Sequence, residues 1–167
     1  MLTLRTRIGR SARVDHELVL TCRERERSRF LAKLASGEEV GVMLERGAAL
    51  RDGDCLRAEE GAVVRIVAAD EEVMEARAGD SRTLARVAYH LGNRHAQIEI
   101  RDGCVRFAAD DVLAQMVRML GAEVRALRAP FQPEPGAYGG AHHSHSGEAK
   151  HSGIIHEMLA NPSGRAR

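Results

Sequence analysis

Large aromatic anchors are nearly missing from this chain. Trp is absent, and aromatic residues make up only 3% of the 167 residues. A core without them must rest on Val, Leu, Ile, Ala and Met, which bury less area per side chain. Hydrophobic residues still amount to 44%, enough for one ordinary domain or two small ones. Small domains built this way are modestly stable, and association with a second copy would add burial.

Paired cysteines are missing as well. Cys22, Cys55 and Cys104 are odd in number and far apart, and no CxxC occurs. That excludes a zinc ribbon and a thioredoxin-type redox pair, and free thiols suit a reducing compartment. Neither sign of charge is in excess: 25 Lys and Arg face 24 Asp and Glu, for a formal net charge of +1. The basic footprint of a nucleic-acid binder is lacking, so no nucleic-acid partner is expected. The densest charged stretch, residues 23–29, alternates Arg with Glu and reads as a solvated face. No apolar run approaches the roughly 18 residues needed to cross a bilayer. Residues 1–10 are interrupted by arginine, so the simplest reading is a cytoplasmic protein with no membrane partner. Catalytic signatures fail too. GxSxG, HExxH and the phosphate-binding GxxxxGK pattern do not occur, and no cysteine neighbours a histidine.

What is present is histidine. Five of the eight fall in one stretch near the C-terminus: His142, His143, His145, His151 and His156. Imidazole is the commonest protein ligand for borderline divalent metals, and a tract rich in it suits capture better than rigid holding. The tract is interrupted and non-repeating, unlike a purification tag. Without paired thiolates to favour Zn(II), a nitrogen-rich donor set tilts toward Ni(II), with Zn(II) at the same site as second candidate.

His95 closes the motif Tyr89-His90-Leu91-Gly92-Asn93-Arg94-His95. It follows a predicted helix, where it either binds metal or hydrogen-bonds locally. One imidazole is a poor site, since these ions take about four to six ligands. A twofold dimer would bring two copies of His95 together, and the tail could then close over the same ion. His90, five residues earlier, lies about 140° around the helix and suits a surface role or a weaker secondary one.

The first seventy residues read as all-β. Strands are predicted over 17–21, 40–44, 55–58 and 62–68, with a further alternating segment over 22–30. Glycines at 37, 47, 53 and 61 punctuate them, and Asp52-Gly53 favours a tight turn. After Asp70 the pattern changes. A strand over 73–77 precedes a helix that starts near Asp80-Ser81, presents Leu84, Val87, Ala88 and Leu91, and stops at Gly92 through a positive φ. A hairpin over 97–101 and 104–107 follows. Asp110 or Asp111 then caps a second helix with Val112, Leu113, Met116, Val117 and Leu120 inward, stopped at Gly121. A strand over 123–127 completes a β-α-β-β-α-β order, the ferredoxin-like arrangement. The expected fold class is α+β: a small N-terminal all-β domain (1–71) for partner binding, a ferredoxin-like metal-binding domain (72–135), and a flexible histidine-rich tail (136–167). Ile154, Ile155, Met158 and Leu159 could form a short helix on docking.

The motif ending in His95, preceded by Ala69-Asp70-Glu71-Glu72-Val73 and followed by Gln97-Ile98, closely resembles the UreE family of urease accessory proteins. Leu44-Glu45-Arg46-Gly47, Leu50-Arg51-Asp52-Gly53-Asp54, Pro130-Phe131 and residues 133–138 extend the likeness across nearly the whole chain. The resemblance implies a homodimeric nickel metallochaperone, not an enzyme. Its metal site would use His95 from both subunits, joined by tail histidines among His142, His143, His145 and His151. Ni(II) would pass through an accessory GTPase to the apo-urease complex. One departure is that residues 107–112 lack the histidines that form additional sites in some members. The competing reading is a protein-interaction scaffold whose tail merely buffers zinc. A metal-dependent hydrolase is disfavoured, because no positioned general base accompanies the histidines.

Overall fold

The computed structural model describes residues 2–47 and 49–135. The expected tail, with His142, His143, His145, His151 and His156, lies outside the described residues.

The first sheet holds β1 (Leu2–Gly9), β2 (His16–Leu20), β3 (Arg29–Lys33), β4 (Glu39–Met43), β5 (Cys55–Ala58) and β6 (Val63–Ala68). Their order is β2-β6-β5-β1-β4-β3. The sheet is nearly closed: Ala35, just past β3, donates its N–H to the Glu17 carbonyl in β2 at 3.5 Å. Leu4, Leu18, Val40, Val42, Leu56, Val64 and Ile66 are fully buried inside it. Aliphatic side chains thus supply this core, as the scarcity of aromatics requires.

Two sequence expectations fail here. β1 was not expected, yet it lies at the centre of the sheet, parallel to β4 and antiparallel to β5. Its inward Leu4 is followed by Arg5 and Arg7, which hide the apolar alternation. The alternating segment 22–30 is not one strand either. Thr21 caps a short helix, α1 (Cys22–Arg25), through a capping box in which Glu24 N–H donates to Thr21 Oγ1 at 3.3 Å and Thr21 N–H to Glu24 Oε2 at 2.8 Å. Two orphan backbone donors satisfied reciprocally outweigh an alternation that has no apolar face.

The second sheet follows the β-α-β-β-α-β order: β7 (Asp70–Arg77), α2 (Ser81–Gly92), β8 (Ile98–Arg101), β9 (Cys104–Ala108), α3 (Asp111–Met119) and β10 (Glu123–Pro130). The strands lie in the order β10-β7-β9-β8, all antiparallel. β7 opens at Asp70 and runs through the expected boundary at 71/72; β10 extends three residues beyond the expected end, to Pro130. Asp80 and Asp110 cap the helices, accepting from Thr83 N–H and Leu113 N–H, each at 2.9 Å. Val87 and Leu91 of α2 and Ala114 and Val117 of α3 close over Met74, Ala76, Val105 and Phe107. Val112 is 77% exposed rather than inward. It sits about 140° around the helix from Val117, off the stripe that packs; Ala114 takes its place.

Between the sheets, Cys22, Val73, Ala129 and Phe131 form a third apolar cluster. Arg25 is buried beside it at 4% exposure. The 23–29 stretch is therefore not a wholly solvated face. Arg25 Nη1 donates to the Leu50 carbonyl at 3.2 Å, and Nη2 donates to that of Phe131.

On the sheet face away from the helices, Arg125, Glu75, Arg106 and Glu99 stand opposite one another across four strands. Glu75 is 1% exposed. It accepts from Arg106 Nε at 2.9 Å, Arg125 Nη2 at 2.7 Å and Arg77 Nε at 2.9 Å. Burial pushes the Glu75 carboxyl up, but the three arginines more than offset this and bring it down to about 2. A carboxyl lowered on folding contributes stability above its unfolded value and loses it as pH falls toward the folded one. Glu75→Gln is therefore expected to cost about 2–3 kcal/mol at neutral pH. Urea titrations across pH should show this gap narrowing below about pH 4.5, the ordinary carboxyl range, and closing toward pH 2.

Candidate metal centre

His95 is placed by the end of α2. The helix runs through Gly92, and Asn93 N–H still reaches the Tyr89 carbonyl at 3.0 Å. The stop comes later. His95 N–H donates to the Gly92 carbonyl at 2.9 Å, and Ala96 N–H to the Leu91 carbonyl at 3.1 Å. These are the paired 5→2 and 6→1 bonds of a Schellman ending, which demand a left-handed residue between them. That residue is His95, with φ at 56°, the only non-glycine at positive φ among the described residues. Gly92 was expected to supply the left-handed stop and does not. An added Cβ at Gly92 would meet nothing within 4 Å, so neither conformation nor space requires glycine there.

His95 is exposed, as are Gly92, Asn93 and Arg94 before it. Its imidazole makes no hydrogen bond among the described residues, which leaves the local hydrogen-bonding alternative without support. His90 is half-buried and packs edge-on against Tyr89, with ring centroids 5.3 Å apart. No group of three or more His, Cys, Asp or Glu side chains among the described residues could hold a metal. The described residues thus place His95 in no cluster of three or more such side chains.

The start of the tail lies close by. Glu134 N–H donates to the Ile98 carbonyl at 2.8 Å, only three residues along the chain from His95. Gln132 N–H donates to Glu99 Oε2 at 3.1 Å. Neither contact was legible in sequence, where the prolines at 130, 133 and 135 mark only a break in regular structure. The three cysteines are buried, and burial pushes the Cys22 thiol up.

Comparison with known proteins decides the family. Residues 3–69 match the family described as UreE urease accessory protein, N-terminal domain, and residues 71–157 match its C-terminal domain. The chain belongs to the UreE family. It is 53% identical to the urease accessory protein UreE of Alkalilimnicola ehrlichii over 140 residues, covering 84% of this chain and 86% of that protein. It is 52% identical to that of Burkholderia ambifaria over 153 residues, covering 87% of this chain and 76% of the other. The Burkholderia pseudomallei protein of the same name is 48% identical over 153 residues. Membership in the UreE family assigns a chaperone role in urease maturation rather than an enzyme activity. No helix among the described residues is long and apolar enough to cross a membrane.

A left-handed backbone costs an ordinary residue about 1–2 kcal/mol, and glycine almost nothing. His95→Gly should therefore be more stable than His95→Ala by about 1 kcal/mol in chemical denaturation. Gly92→Ala, in the exposed helical stretch, should gain about 0.5–1 kcal/mol. Equal midpoints for the two His95 variants would contradict the left-handed assignment.

Proposed function

We propose that this chain is a cytoplasmic nickel carrier for urease maturation, working as a homodimer. Two copies of His95 meet across the dimer axis and hold one Ni(II), and imidazoles from His142, His143, His145 and His151 complete its shell. Ni(II) is cargo, and Zn(II) competes for the same site. The observation that carries this reading is an exposed, unengaged imidazole held at a strained helix end where glycine would be cheaper. Strain of this kind persists where function needs the side chain. A lone imidazole leaves most of the ion's positions to water, which favours a second copy and the tail as further donors.

Chain length supports the tail's part. His142 lies seven residues past Pro135, the last described position. Seven extended residues span at most about 25 Å, ample from a start beside Ile98. The second sheet, with its two helices on one face, fits a ferredoxin-like metal-binding domain over 72–135. The nearly closed first sheet fits a partner-binding domain over 1–71. Delivery runs by ligand exchange to an accessory GTPase and the apo-urease complex, so no bond-making chemistry is involved.

Calorimetric Ni(II) titration tests the reading. Wild-type protein should show a tightest event of one ion per two chains, and His95→Ala should abolish it. Affinity should fall as pH drops through about 6.5, where imidazoles in general protonate and cease to ligate. An unchanged tightest event in His95→Ala would refute the site. The scaffold reading, with a zinc-buffering tail, would instead show partner capture indifferent to Ni(II) and to metal stripping.

A further inference from the structure

The first sheet stops short of closure between β2 and β3, and both strands keep an unpaired edge there. β3 bonds to β4 through its even-numbered residues, as the flanking bonds show. Leu44 N–H donates to the Ser28 carbonyl at 2.8 Å, and Leu34 N–H to the Glu38 carbonyl at 2.9 Å. In an antiparallel pair the alternate residues turn their backbone groups the other way. Arg29, Leu31 and Lys33 therefore direct N–H and C=O away from β4, toward β2. On β2, the Leu20 carbonyl accepts from Ala69 N–H beside β6 at 2.9 Å, so the backbone groups of Val19 point toward β3. Past the 3.5 Å bond from Ala35 to Glu17, no described residue pairs with either edge. Burial reports the same opening. Phe30 and Ala32, the inward side chains of β3, are half-buried, whereas Val40 and Val42 beside them on β4 are fully buried.

The outer face of this edge has a chemistry of its own. Leu31 is 73% exposed and stands between Arg29 and Lys33, which are exposed and enter no ion pair among the described residues. Cations on an edge strand discourage indiscriminate pairing. They also select, because residues opposite one another across two strands interact, and opposite charges there attract. We infer that the β3 edge is a docking strip for an extended segment of a partner protein, one that carries two carboxylates with an apolar residue between them, at every second position. Backbone bonds to Arg29, Leu31 and Lys33 supply the affinity, and the side-chain row sets sequence and register. The inference rests on reading the first sheet as a partner-binding domain. It adds which edge binds and what the partner presents. A second copy of the same edge is a poor occupant, since it would bring the same cations opposite one another.

The probe is a capped, fluorescently labelled peptide, Gly-Glu-Thr-Val-Thr-Glu-Gly, titrated with the full-length chain and followed by anisotropy. In an extended conformation its two carboxylates and its valine share one face. A peptide with lysine in place of both glutamates tests charge. One methylated at the valine nitrogen keeps every side chain and removes a donor to the edge, so it tests backbone pairing. On the protein, Leu31→Pro removes the matching donor and leaves the ladder to β4 intact, because Leu31 does not bond to β4. The double variant Arg29→Glu/Lys33→Glu keeps the strand's backbone donors and inverts its charge, so the test does not depend on the proline variant folding.

Wild-type protein should bind the acidic peptide about tenfold or more tightly than the lysine or the methylated peptide. Leu31→Pro should weaken that binding by a similar factor, and Arg29→Glu/Lys33→Glu should reverse the preference in favour of the lysine peptide. Failure of the acidic peptide to bind wild type overturns the inference, as does equal binding of the methylated peptide or unchanged binding in either variant. Sedimentation covers the other occupant. If a wild-type dimer becomes monomeric in either variant, the edge is a contact between copies and the partner assignment falls. Capture of the accessory GTPase by the full-length chain keeps the broader reading separate. Capture without peptide binding leaves the partner-binding reading standing while the docking strip fails, and peptide binding without capture does the reverse.

Discussion

A guanidinium taken out of water has to be given acceptors, and the way Arg25 finds them determines how the chain is put together. Its donors go to the carbonyls of Leu50 and Phe131, residues 25 and 106 positions away. Leu50 returns an N–H to the Arg25 carbonyl at 2.8 Å, and Glu71 accepts from Cys22 N–H at 2.6 Å. Nε has no hydrogen-bond partner among the described residues. Burying a cation costs several kcal/mol, and an apolar residue could fill the same space more cheaply. What the guanidinium adds is direction: few placements of α1, Leu50 and Phe131 satisfy it together. A short helix of four residues, with little stability of its own, thereby becomes the joint between the two sheets.

The end of α2 shows the opposite economy. There the cheap residue, glycine, stands at position 92 inside the helix, and the costly one, histidine, occupies the left-handed position. The Schellman bonds at 95 and 96 leave the backbone at His95 little freedom, and the Leu91 contact beneath is in the core. The Cα–Cβ direction is fixed by the helix rather than by contacts of the imidazole itself. On the proposed reading, a ligand presented this way has only its side-chain torsions left to order when the ion arrives, and the stability given up at the backbone is the counterpart of that partial preorganisation.

How much of this could be read beforehand depended on the range of the signal. The second sheet was legible because its markers are local: Asp80 and Asp110 as caps, Asp102-Gly103 as a turn, and i, i+3, i+4, i+7 spacing in α2. In the first sheet, β1 was lost because arginine follows its buried leucine, and α1 because a capping box sat inside a mixed-charge run. Thr21-x-x-Glu24 was there to be found. The burial of Arg25 was not, since its partners are backbone carbonyls that carry no residue-type signature. His95 stood out as a histidine in a motif. Its left-handed backbone did not, because Gly92 three residues earlier drew the role that hydrogen bonding assigns to position 95.

These features bear on a difficulty any metal carrier faces. An ion held by a closed, rigid cage is secure but slow to leave, whereas one held by loose donors alone leaves too readily. On the proposed reading, dividing the donors between a fixed pair and a tethered set resolves this. Tethered imidazoles can detach singly, each opening a position for an acceptor's ligand while the remainder keep the ion from escaping. The fixed pair of that reading then needs only moderate strength. On that reading the strained helix end sets where the stationary donor points, and a shift of it would change affinity without altering a single ligand.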